Sequence, residues 1–179
     1  MKGSQELDAL IRNRISHFKI QMIRGITPPP ECFFFIEYPL EGRFSNIPLK
    51  YVDKFFEDGV DRKSLVTHIQ KSWTIVKQVA EEGQLPVNLI AVLHVSDAFF
   101  IIRKNTILQN EKLPSPSRQP DRKEVLLASI HTATTHEMYT YHYDRGTDGI
   151  PRFVPERKKE EIEQGDPRFS LLNLWPAGV

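Results

Sequence analysis

The stretch from Leu89 to Asp144 constrains this chain most, because "LIAVLHVSDAFFIIRK" and "EVLLASIHTATTHEMYTYHYD" hold most of its β-forming residues. Leu89, Ala91, Leu93 and Val95 alternate with Ile90, Val92 and His94, so both sides of the segment are largely apolar, as in a strand covered on both faces. Ser96 and Asp97 have side chains that close tight turns on nearby backbone, which predicts a hairpin continuing through Phe99 to Ile102. Val125 to Ile130 supplies an apolar return strand. Tyr139, Tyr141 and Tyr143 then alternate with Met138, Thr140 and His142, predicting a strand that half faces solvent. "RGTDG" at 145–149 carries an Asp-Gly turn signal, and Pro151 confines the short return at 150–154 to a sheet edge. Together these segments predict an antiparallel meander.

Outside the meander the period changes. Leu7, Leu10, Ile11 and Ile15 lie at helical spacing after Ser4, a residue suited to an N-cap. "HFKIQMI" alternates Phe18, Ile20 and Met22 with polar residues, which predicts a strand ending at Pro28–Pro30 and pairing with "CFFFIEY" as an N-terminal hairpin. Leu49, Val52, Phe55 and Phe56 are spaced as a short helix with Pro48 in its first turn. From Asp61 to Gly83, Leu65, Ile69, Trp73, Val76 and Ala80 recur at steps of three and four, opposite a charged face, with Val66 and Val79 widening the stripe. After Pro155, "ERKKEEIEQG" is expected to form a charged surface helix.

The fold expected is therefore α+β, a mostly antiparallel sheet of meander plus N-terminal hairpin, with the long amphipathic helix packed on one face. A single domain covers 1–179, with a long mobile loop at 105–121 and an apolar tail at 166–179 that docks on its own core or on a neighbouring subunit.

A chain of 179 residues buries roughly 70% of its unfolded surface and needs no covalent staples. With 24 basic and 23 acidic residues the net charge is +1, so no long-range field draws the whole chain to nucleic acid or to an anionic membrane. The N-terminus lacks the apolar run of a signal peptide, and no apolar run reaches the ~18 residues of a membrane helix, so a cytoplasmic protein is expected. Cys32 is the single cysteine, which rules out an internal disulfide and Cys-x-x-Cys chemistry, and its setting beside "FFFI" is that of a small buried hydrophobe.

Histidines give the one cluster of metal-ligating type. His136 and His142 are roughly 20 Å apart along an extended strand at ~3.3 Å per residue, so they cannot share an ion. His131 and His136 can meet if "TATT" turns the chain, and His94 can join from a neighbouring strand; satisfied or exposed strand histidines are the simpler account of all three. Neither a metal nor another cofactor is expected. Hydrolase and phosphate-loop motifs are missing. "PDRKE" at 120–124 with the later Glu156 and Lys158 suggests a metal-dependent nuclease, but the later pair is explained more simply as solvated charge. The stripe of Tyr139, Tyr141 and Tyr143 could stack bases, yet basic residues are scarce beside it in sequence, so nucleic acid is not expected as a partner.

"AVLHVSDAFFI", a Pro-rich polar loop, "PDRKEVLLAS" and "YHYDRGTDGIPRF" together resemble a pattern shared by a widespread group of bacterial proteins of unknown function. In that pattern a strand ends in Ser-Glu-Ala-Trp and an Asp-Arg-x-Glu opens the next strand, whereas this chain has Asp97 and Phe99 in place of the acid and the tryptophan. The resemblance covers about a third of the chain and implies no activity. It implies that Asp97, Asp121, Arg122 and Glu124 act together at the loop base. The functional expectation is a non-catalytic bacterial module that works through a protein partner or self-association, as a homodimer for example. An enzyme acting on a small polar or phosphorylated ligand is the alternative, and a deep pocket with convergent His, Asp and Arg groups would favour it.

Overall fold

The computed structural model describes residues 2–55, 62–101, 122–161 and 174–175. In chain order these form helix α1 (Lys2–Ile23), strands β1 (Glu31–Tyr38) and β2 (Arg43–Pro48), helix α2 (Arg62–Glu82), and strands β3 (Asn88–Ile101), β4 (Arg122–Thr132), β5 (His136–Arg145) and β6 (Pro151–Glu161). The six strands make one sheet in the order β2-β1-β3-β4-β5-β6, antiparallel at every junction. The expected α+β class and the meander are thus present, and a helix covers each face.

Alternation along the strands sorts the core into two clusters. On one face Ile11, Ile15, Phe18 and Met22 of α1 pack on Phe33 and Phe35 of β1, Leu93 and Val95 of β3, and Tyr141 and Tyr143 of β5. On the other, Leu65, Ile69 and Trp73 of α2 pack on Cys32, Phe34, Leu89 and Val92. Phe34 and Trp73 meet edge to face with centroids 5.5 Å apart. Leu174 and Trp175 of the tail join this second cluster, and the Trp175 indole donates to the Leu89 carbonyl at 2.9 Å. Among the described residues no helix is long and apolar enough to cross a membrane.

Four local expectations are corrected. "HFKIQMI" is not a strand but the second half of α1, because Ile11, Ile15, Phe18 and Met22 form one continuous helical stripe that outweighs the short alternation. Gly25, at φ 77°, ends the helix, with Ile26 N–H bonding the Gln21 carbonyl at 3.0 Å. The N-terminal hairpin is consequently β1 with β2, and Arg43–Pro48 is extended where Pro48 was expected in the first turn of a helix, of which Asp53–Phe55 forms a single 3-10 turn. β3 runs straight through Ser96 and Asp97, which pair with Leu127 and Leu126, so the turn expected there is absent. The charged segment after Pro155 is β6, an edge strand whose alternating charges suit an unpaired edge better than a helix.

The tyrosine strand β5 is also more enclosed than its alternation implied, since Thr140, Tyr141 and Tyr143 are all buried. Pro151 does sit on the sheet edge, after a turn in which Gly149 adopts φ 74°. The loop expected at 105–121 lies outside the described residues.

Candidate functional site

Three places concentrate chemistry-bearing side chains. The first is the loop base. Asp97 on β3 and Glu124 on β4 share the α1 face, because Asp97 is opposite Leu126 and Glu124 is opposite Phe99. Tyr143 on β5 donates its hydroxyl to Asp97 at 2.5 Å, and Arg145 bonds Glu124 at 2.8 Å and reaches Asp97 at 3.5 Å. Among the described residues, Arg145 supplies an arginine beside these carboxylates; Asp121 and the side chain of Arg122 lie outside the described residues. Burial pushes the Asp97 carboxyl up, while Tyr143 and Arg145 oppose the shift. Tyr143 is driven far above its ordinary range by burial and then by its bond to Asp97, so it stays protonated and cannot act as a phenolate. Every strong polar group here already has a partner, which suits a clasp between β3, β4 and β5.

The second place is on the α2 face. The 133–135 turn sets His131 opposite His136, and their rings stack with centroids 3.7 Å apart. The Ser129 hydroxyl lies 3.1 Å from His131 Nε2 and 2.6 Å from His136 Nε2, with His94 across from Ser129 on β3. A hydroxyl has one proton to give, so one imidazole accepts from Ser129 and the other donates to it. Burial, followed by the neighbouring His136 and His94, pushes His131 down to about 3, and burial pushes His94 down to about 4, so both are neutral at pH 7. Sequence spacing places the three histidines together but gives no hint of Ser129. No group of three or more His, Cys, Asp or Glu among the described residues is arranged to hold a metal ion. Ser129, His131 and His136 are buried and line neither of the two cavities described next, so a substrate has no route to them through those cavities.

The third place is a cavity of about 390 Å³ at the end of the sheet, where α1, the start of β1 and the segment following β2 converge. Its apolar wall includes Pro29, Phe33, Pro48 and Leu49, and its polar lining is Arg14, His17, Glu31 and Asp53. Local backbone builds it: the Leu49 N–H bonds the Cys32 carbonyl at 2.8 Å, holding the 49–53 segment against β1. Tyr51 on this segment has φ 61°, is 71% exposed and lines the cavity. A bulky residue in the left-handed region costs on the order of 1 kcal/mol, a strain that clusters at ligand sites. Arg14 is held by a 2.6 Å bond to Asn46 and by stacking over Phe33 at 4.9 Å. Glu31 is half-buried; burial pushes its carboxyl up, and His17 and Arg14 offset this only through space. No described residue hydrogen-bonds its side chain. Cys32 also lines the cavity, but burial drives its thiol up to about 12, so it is not a nucleophile.

A second cavity, about 220 Å³, runs between α1 and β5. Its acid Glu137 already accepts from Tyr139 at 2.6 Å and pairs with Lys159 at 2.7 Å. The structure also brings to the tyrosine stripe the basic residues that the local sequence lacks: Lys19 lies 3.5 Å over Tyr141 and Arg157 lies 4.8 Å over Tyr139. Tyr141 and Tyr143 are buried beneath α1, however, so their rings are not open to a stacking base. Comparisons of the chain with family models, with curated proteins and with solved structures give no match.

Proposed function

We propose that this chain is a non-catalytic binding module whose ligand is a small polar molecule seated in the cavity beside Tyr51. The observation that carries this reading is the convergence of Arg14, His17, Glu31 and Asp53 on one cavity of about 390 Å³, within the size range of small-molecule sites. This is the feature that favours a small ligand over a purely macromolecular partner. Binding without turnover is supported by the state of the groups best suited to chemistry: Cys32, Tyr143, His94 and His131 are all held away from reactive protonation near pH 7. Titrating the labelled chain with pools of small polar metabolites, followed by amide NMR, tests the reading. Shifts concentrated at residues 14–17, 31–33 and 49–53 are expected; shifts centred on Ser129 or on the loop base would end it.

A second reading, self-association, is favoured by α2. Ile75 and Val79, one turn apart, are each 61% exposed, and Leu85 beyond the helix end is 47% exposed. Val79 therefore does not extend the sheet-facing stripe as its spacing implies, and a second copy of the chain is the partner this apolar flank suits. Sedimentation across micromolar concentrations tests it, with a monomer throughout as the adverse result.

A further inference from the structure

We infer that the cavity beside Tyr51 selects a free α-amino acid with an apolar side chain, its ammonium bound by Glu31 and its carboxylate by Arg14. This deepens the small-ligand reading above and rests on it. Charge is the first argument. A ligand carrying only a cation meets the Arg14 guanidinium, and one carrying only an anion meets the carboxylates of Glu31 and Asp53. A zwitterion complements both signs. Arg14 and Glu31 line the same cavity, and the Arg14 charge acts electrostatically on Glu31.

The second argument is unused bonding capacity. Glu31 accepts no side-chain hydrogen bond from any described residue, and it is half-buried, so a donor arriving there restores what the carboxyl loses by leaving water. Arg14 carries five N–H donors, and the bond to Asn46 fixes its fork without exhausting it. Positioning is thus built in before a ligand arrives. His17 is engaged with Gln21 at 2.7 Å and plays a lesser part.

The third argument is shape. Pro48, Leu49 and the exposed ring of Tyr51 offer an apolar surface beside the charged pair, suited to an aliphatic or aromatic side chain. A volume of about 390 Å³ is at the small end for ligand sites and admits a single amino acid the size of leucine or phenylalanine.

Calorimetry on the full chain with leucine, N-acetyl-leucine and leucine amide tests this. Leucine is expected to bind, and each derivative, having lost one charge, to bind at least tenfold more weakly. Glu31→Gln should weaken leucine about tenfold, while N-acetyl-leucine, relieved of a like charge, should bind at least as tightly as to the native chain. Equal binding of all three compounds, with amide shifts still at Glu31–Phe33, would overturn the zwitterion assignment while the cavity remained the ligand site. Shifts elsewhere, or no leucine binding at millimolar concentration, would also overturn it, whereas the metabolite pools judge the cavity independently. Should Glu31→Gln fail to fold, the three compounds on the native chain decide alone.

Discussion

On the α1 face of the sheet, charged groups sit at the rim with partners: Asp97 with Tyr143 and Arg145, Glu137 with Lys159, and Lys19 against Tyr141. On the α2 face Ser129, His131 and His136 are sealed in and bonded to one another, with His131 held neutral. The two arrangements leave different possibilities. A sealed network of this kind specifies packing and offers nothing to solvent. Charged groups at a rim keep contact with water, and where one lacks a hydrogen-bond partner, as the Glu31 side chain does among the described residues, a ligand can supply it.

The largest effects should come from the apolar layers that hold each helix down. Phe18 of α1 is fully buried and Trp73 of α2 is 5% exposed. Phe18→Ala and Trp73→Ala should each lower unfolding free energy by about 3–5 kcal/mol in denaturant melts. A loss below about 1 kcal/mol at either position would mean that its helix is not integral to the core.

Acidification should separate the faces by sign. His131 is lowered to about 3 and His94 to about 4, against ~6.5 in an unfolded chain. Between these values the unfolded chain binds more protons, so their contribution is fully present above about pH 6.5 and is lost as pH falls, by up to about 1.4 kcal/mol per pH unit for each histidine. Asp97 and Glu31, whose carboxyls are raised, act oppositely: protonation favours the fold, and their contribution declines as pH rises through the folded pKa. Urea melts from pH 7 to pH 4.5 should show a net decline, and NMR of the imidazole protons should find His131 and His94 still neutral at pH 5. A protonated His131 at that pH would refute the sealed network.

At the loop base, Tyr143→Phe removes the donor to Asp97 without opening a cavity, and should cost about 1–3 kcal/mol at pH 7. Arg145→Ala should cost less, since Arg145 is about a third exposed. A double-mutant cycle between them that proves additive would show that the clasp does not act as a unit.

Much of this organisation is legible in the sequence, and the losses have identifiable causes. The α2 stripe and the meander emerge because their periods persist over many residues. The His131–His136 pairing follows from a four-residue spacer that can turn. At Asp97 a local rule fails: the side chain that seems made for a turn is instead satisfied by Tyr143, 46 residues later. Phe18, Ile20 and Met22 mislead because three alternating residues fit both periods, and only the longer run from Ile11 to Met22 distinguishes them. β6 misleads because a dense mixture of charges suits both an exposed helix and a guarded sheet edge. The cavity was invisible, since Arg14, Glu31 and Asp53 come from separate elements and the left-handed backbone of Tyr51 has no signature in a tyrosine.

The smallest expected effect on stability bears most directly on function. Glu31→Gln replaces a half-buried carboxylate with a neutral amide of the same shape, so at pH 7 the ligand-free chain should gain stability, by no more than about 0.5 kcal/mol because solvent screens the exposed half. The sign matters more than the size. A residue kept in a state that weakens the empty fold is expected where binding requires it. If Glu31 instead stabilises the fold, its substitution will lower the melting temperature, and Arg14 and His17 must then be supplying the compensation assigned here to a ligand. Thermal melts of both chains at pH 7 and at pH 4 separate these cases: protonation removes the charge in the native chain, so the advantage of Glu31→Gln should shrink at the lower pH.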